Sequence, residues 1–227
     1  MLRIVVVGDV NHGKSTLIGR LLHEAGSLME GKIEQLQTII AKRRVPFEWS
    51  YVLETLQVRR DQNICNDISQ VCFGTKRHRF VLTEAPSHTE FCNGIPGAAQ
   101  ADAAILVVDA VEGVGEQTRR QVYWLKQLLG IQQLIVVVNK MDCVAYDAGR
   151  FRMIETELTE YLAGIGLSPI AVIPVSVRDG VGITEHTYTF EWFRPTLVDA
   201  LNRLTLSVAT PHEVARLPLA LDFATQI

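Results

Sequence analysis

Eight consecutive residues near the amino terminus carry the strongest chemical signal in the chain. Gly8-Asp9-Val10-Asn11-His12-Gly13-Lys14-Ser15 fits the spacing G-x-x-x-x-G-K-S/T. Glycines at both ends let backbone amides converge on an anion, and a helix opening at Lys14 adds positive potential. Lys14 supplies a point charge for terminal phosphates, and the Ser15 hydroxyl is a hard oxygen suited to magnesium. The expected phosphate contacts run through Asn11, His12, Gly13, Lys14, Ser15 and Thr16. A second cluster, Asn139-Lys140-Met141-Asp142, lies far downstream. A carboxylate such as Asp142 can accept hydrogen bonds from the N1 proton and 2-amino group of guanine. Adenine offers neither donor, so the mismatch would reject it strongly. Pro174-Val175-Ser176-Val177 ends a further apolar run, where an amide beside Ser176 or Val177 would reach the guanine oxygen.

Elements of definite type must position these clusters. Arg3–Val7, Val81–Thr83, Ala104–Val108, Leu134–Val138 and Ile170–Val175 are continuous apolar runs of strand length. Parallel strands covered on both faces read this way. Ile68–Phe73 and His78–Leu82 flank Gly74-Thr75-Lys76-Arg77 as a hairpin would. Helical periods occupy Lys14–His23, Glu116–Leu129, Asp147–Ala163 and Thr196–Leu204. Strands alternating with helices predict a three-layer α/β domain whose sheet is mainly parallel, with one antiparallel edge strand. Ser27–Asn66 breaks the alternation. It holds an amphipathic stretch (Ile33, Leu36, Ile40), a basic run (Lys42-Arg43-Arg44) and three aromatics (Phe47, Trp49, Tyr51), and reads as a functional insertion.

Composition excludes several classes. The chain has 227 residues with 22 Lys plus Arg against 25 Asp plus Glu, a net charge of −3. That balance argues against a protein that wraps duplex nucleic acid. Hydrophobic residues at 48% and charged residues at 21% are ordinary for a globular domain rather than a disordered or coiled-coil chain. No apolar run approaches the 20 or so residues of a membrane span. The amino terminus lacks the pattern of an export signal, so the expectation is a cytoplasmic protein. Four cysteines without a Cys-x-x-Cys pair are expected to be reduced thiols rather than zinc ligands.

Together the stretches Gly8–Leu22, Ala101–Ala110, Gln117–Gln121, Leu128–Asp142 and Ile173–Gly180, with Glu191–Leu197, resemble the translation-factor class of P-loop GTPases. Within that class the chain looks most like the GTPase subunit of bacterial ATP sulfurylase. The resemblance covers residues 1–204 and implies a G domain that binds GTP and GDP with magnesium and hydrolyses GTP. It also implies an ATP sulfurylase catalytic subunit as partner, and no direct nucleic-acid contact. Residues 205–227 would be a linker and the start of a β-barrel domain.

The resemblance gives His88 the task of orienting the attacking water and Glu84 that of a magnesium-side carboxylate. It also exposes departures. Asn63-Ile64-Cys65 stands where the family has a threonine ligand, and a neutral thiol is a poor partner for a hard cation. Glu84-Ala85-Pro86-Ser87-His88 stands where the family reads D-x-P-G-H. Two alternatives to the sulfurylase-type GTPase therefore stay open: a guanine-nucleotide-binding scaffold with impaired hydrolysis, and a G domain of the translation elongation factor type. Arg119 and Arg120 have the character of arginine fingers but are expected to be solvated helix residues.

Overall fold

The computed structural model describes residues 1–28, 30–43, 46–61, 70–75, 77–85, 101–127, 129–184, 192–193 and 195–206. Six strands form one sheet: β1 (Leu2–Gly8), β2 (Gln70–Gly74), β3 (Arg79–Glu84), β4 (Ala103–Asp109), β5 (Leu134–Asn139) and β6 (Pro169–Pro174). Their order is β2-β3-β1-β4-β5-β6. Every pairing is parallel except that of β2 with β3. This is the mainly parallel sheet with one antiparallel edge strand that the apolar runs predicted.

The helices are α1 (Lys14–Glu24), α2 (Lys32–Arg43), α3 (Ser50–Asp61), α4 (Glu116–Gln127), α5 (Ala148–Gly164) and α6 (Leu197–Leu201). Alternate residues of β1 feed opposite faces of the sheet. Ile4 and Val6 join Leu17, Leu21, Leu53, Leu197 and Leu201 beneath α1, α3 and α6. Val5 and Val7 join Val122, Leu125, Phe151 and Leu158 beneath α4 and α5. Both faces are dry, which is why β4 and β5 are buried along their whole length.

Local chemistry sets the ends. Asp147 caps α5 by accepting from the amides of Gly149 and Arg150, so the helix begins one residue later than its period suggests. Thr196 and Asp199 form a capping box that starts α6, which stops at Leu201 rather than Leu204. Helix α4 stops at Gln127, two residues short of the expected end, and Gly130 follows with φ +63°.

The insertion contains two helices where the sequence showed one amphipathic stretch. In α2, Leu36 and Ile40 are buried. Helix α3 packs closely on α1: Trp49 stacks on His23 with ring centroids 4.7 Å apart, and the Arg20 guanidinium lies 4.7 Å from the Trp49 ring centre. Trp49, just before α3, thus packs on α1, and Phe47 meets it edge to face. No helix among the described residues is long and apolar enough to cross a membrane.

Candidate functional site

Strand order reverses at β1, whose carboxyl end lies between β3 and β4. In open α/β sheets this crevice is where ligands bind. The loop Gly8–Gly13 leaves β1 there and enters α1. It turns with Gly8 at φ +152°, Asn11 at +64° and Gly13 at +95°. Asparagine tolerates the left-handed region better than most side chains, and glycine best of all. Gly13 has a second constraint: a Cβ would stand 2.3 Å from the Asn139 amide nitrogen.

That contact ties the two sequence clusters together. Asn139 ends β5, is 3% exposed, and donates from Nδ2 to the His12 carbonyl at 2.9 Å. Its Oδ1 accepts from the Val177 amide at 3.1 Å. One side chain therefore bridges the glycine loop, the β5 end and the turn after β6. Thr16 is half-buried on the first turn of α1.

Lys14 is buried, and its Nζ donates to the carbonyls of Gly8 and Asp9, both at 2.9 Å. Burial lowers its pKa, opposed by the carboxylates of Glu84 and Asp9. A phosphate entering the loop would favour the charged ammonium. Ser15 Oγ donates to Glu84 Oε1 at 2.7 Å. A hydroxyl and a carboxylate side by side, both hard oxygen donors, fit magnesium, which takes one or two protein oxygens and completes its shell with phosphates and water. The longer glutamate thus reaches Ser15 directly.

His12 is 1% exposed; its ring nitrogens lie 3.2 Å from the Val107 carbonyl and 3.1 Å from a Glu112 carboxylate oxygen. The side chain fastens the loop to β4 and leaves only its backbone for a ligand. Asp9 is held by Thr118 and Gln121 of α4, each at 3.2 Å. The fit of Gln117–Gln121 to a family motif now has a physical content: α4 steadies the loop. Arg119 pairs with Glu157 at 2.7 Å and Arg120 with Glu116 at 2.6 Å, so both turn to surface partners, as expected.

At the other end, Asp142 Oδ1 accepts from Ser176 Oγ at 2.7 Å. Arg178 lies 3.3 Å from Asp142 Oδ2, and the Cys143 thiol 3.5 Å. Desolvation and the adjacent Asp142 carboxylate push the Cys143 thiol up, so it remains a neutral S–H donor. Lys140, at φ +62°, pairs with Asp109 Oδ2 at 2.6 Å. Sequence reasoning missed Asp109, whose carboxylate also accepts from the Val111 amide at 2.7 Å. Burial opposes its ionisation, yet Lys140 and the Val111 amide hold it below the usual carboxylate range. The available signal was a lone acid ending the buried run of β4 (Ala103–Asp109). Among the described residues, Asn11, Lys140, Ala145 and Tyr146 are the non-glycines with positive φ. Asn11 lies in the glycine loop and Lys140 at the end of β5, both at this crevice, where strained backbone is commonly concentrated.

His88, Ser87, Ile64 and Cys65 fall outside the described residues. Glu84, the last residue of β3, is the described part of that strand's functional end.

The sheet and its paired loops are those of a P-loop GTPase G domain. The family model described as the elongation factor Tu GTP binding domain matches residues 1–207, and the chain belongs to that family. It is 39% identical over 223 residues to elongation factor 1-alpha of Methanocella arvoryzae, covering 96% of this chain and 51% of that protein. It is 36% identical over 218 residues to elongation factor 1-alpha of Thermococcus sibiricus, covering 95% and 50%. The chain thus spans about half the length of these curated relatives. Among solved structures it resembles Sup35 complexed with GDP, with TM-score 0.63, 25% identity and coverage of 90% and 45%. The GTPase-like domain of Saccharomyces cerevisiae Ski7, bound to GTP, shares the fold at TM-score 0.69 and 19% identity, covering 88% of this chain and 48% of that one. The two curated relatives carry the elongation-factor name, and the narrower likeness to a sulfurylase subunit finds no support in these comparisons.

Proposed function

We propose that this chain binds GTP and GDP between the Gly8–Ser15 loop and the Asn139–Asp142 turn, and hydrolyses GTP as a nucleotide-dependent switch of the elongation-factor type. The observation that carries the reading is the double hydrogen bond of Asn139, to His12 O at 2.9 Å and from Val177 N at 3.1 Å. It holds an anion-binding loop and a guanine-reading turn in one crevice.

Each residue then has a chemical task. The loop amides from Asn11 to Thr16 face the phosphates, and Lys14 exchanges its two carbonyl partners for phosphate oxygens. Asp142 accepts from the guanine N1–H and 2-amino group, while Ser176 keeps its carboxylate aimed. The Val177 region offers backbone at the purine oxygen. Ser15 and Glu84 would hold magnesium, which when bound neutralises charge on the β and γ phosphates. His88 is assigned the attacking water by resemblance alone.

The names of the curated relatives support the elongation-factor reading over the sulfurylase one. Titration of the purified chain with fluorescent GDP, GTP and ATP tests the base and phosphate sites. Tight GDP and GTP binding with weak ATP binding is expected; equal affinity for all three overturns the reading. Single-turnover hydrolysis tests the chemistry. A rate equal to buffer, with binding intact, would favour the scaffold alternative that the Cys65 and Ser87 departures motivate. Nucleotide-dependent cosedimentation with ribosomes tests the switch role.

A further inference from the structure

Arg178 stands beside Asp142, the carboxylate assigned above to the guanine edge. Asp142 has a side chain only 10% exposed, whereas that of Arg178 is 75% exposed. Despite that exposure, Arg178 is anchored. Its Nε donates to Asp179 Oδ1 at 3.1 Å, and Tyr146 donates to Asp179 Oδ2 at 3.0 Å. The backbone carbonyl of Arg178 also accepts from Arg20 at 3.3 Å. This chain of contacts leaves Arg178 Nη2 3.3 Å from Asp142 Oδ2. With Ser176 on Oδ1 and the Cys143 thiol 3.5 Å from Oδ2, protein donors serve both oxygens of Asp142.

The consequence concerns purines that differ only at position 2. Guanine offers two donors to Asp142, and hypoxanthine keeps N1–H but lacks the 2-amino group. In a site with no other donor, hypoxanthine would leave part of a buried carboxylate unpaired, the situation that rejects analogues most strongly. Here a guanidinium stands ready beside that carboxylate. Resting on the base-site reading above, we propose that Arg178 is a specificity-determining residue that relaxes the demand for the 2-amino group, so that inosine nucleotides are tolerated alongside guanine nucleotides. It does so by donating to the Asp142 carboxylate whenever the base does not.

Equilibrium binding of GDP, IDP and ADP to the wild-type chain and to Arg178→Ala, Arg178→Gln and Arg120→Ala tests this. The ratio of IDP to GDP dissociation constants is expected to rise roughly threefold to tenfold in Arg178→Ala, less than a fully buried charged donor would give because water replaces part of an exposed one. Arg178→Gln, neutral but still a donor, is expected to fall between wild type and Arg178→Ala. Arg120→Ala removes a surface arginine paired with Glu116 and is expected to leave the ratio unchanged. An IDP to GDP ratio unaltered in both Arg178 variants overturns the proposal while GDP remains preferred over ADP. Loss of the GDP over ADP preference in the wild-type chain would instead overturn the base-site reading itself.

Discussion

At the residue scale, the crevice depends on pairs that are distant in sequence. Gly13 illustrates the sharpest constraint. Its φ of +95° and the 2.3 Å approach of Asn139 Nδ2 to a hypothetical Cβ are separate penalties. Gly13→Ala is therefore expected to lose about 1–3 kcal/mol of stability and most nucleotide affinity, measured by denaturant unfolding and GDP titration. Lys140→Met tests the partner of Asp109. Because the folded carboxyl is held below its ordinary pKa, its stabilisation is present above the unfolded value near pH 4 and fades as pH falls through the folded value. The variant should melt lower than wild type at pH 7, and the gap should narrow below about pH 4. Of this network, the glycine loop was legible in sequence because its residues are contiguous and their roles follow from local geometry. The coupling of Asn139 to His12, and of Lys140 to Asp109, was not, since they arise from the parallel registers of β1 with β4 and of β4 with β5. Burial of the His12 ring was equally invisible, for the motif leaves that position unspecified.

At the element scale, the alternation of apolar runs with helical periods was enough to expect the sheet, since a strand buried on both faces has little freedom of composition. The insertion was harder to read. Helix α3 has no clean apolar stripe, and its place follows from what α1 offers it: Gly19, whose missing side chain admits the carbonyl of Trp49. A Cβ at Gly19 would stand 2.0 Å from that oxygen and 2.9 Å from its carbon. The obstacle is backbone, so relief requires moving the start of α3 off α1. Gly180 makes a useful contrast, because there a Cβ meets the tip of Arg20, which can swing away. Gly19→Ala is expected to cost about 1–3 kcal/mol and to raise amide exchange through Ser50–Thr55 selectively. Uniform exchange across the sheet as well would mean that α3 is not a separable unit. Gly180→Ala, with φ at +81°, is expected to cost the backbone strain of about 1–2 kcal/mol and to loosen the Arg20–Trp49 contact, with a smaller rise in α3 exchange than Gly19→Ala gives.

At the scale of the whole molecule, one ligand would touch loops from both sides of the strand-order reversal. The glycine loop follows β1, while the base-reading turns follow β5 and β6, two and three strands away from β1. A ligand bound only to the folded state stabilises it by RT ln(1 + [L]/Kd), about 4 kcal/mol at a thousandfold excess over Kd. For a domain of this size each kcal/mol raises Tm by about 2–4 °C, so saturating GDP should raise it by about 8–16 °C. ADP at the same concentration should shift it by about 1 °C or less if Asp142 reads the base as argued, because adenine turns an acceptor nitrogen, rather than a donor, toward that carboxylate. Asp142→Asn exchanges a pure acceptor for a side chain with one acceptor and one donor, which removes the charge and half of the match to guanine. The GDP shift should collapse in that variant while the Tm without nucleotide stays close to wild type. The same experiment separates ligand reading from folding: a large fall in the nucleotide-free Tm would mean that the Ser176 hydrogen bond to Asp142 serves chiefly to hold the β5 and β6 turns together.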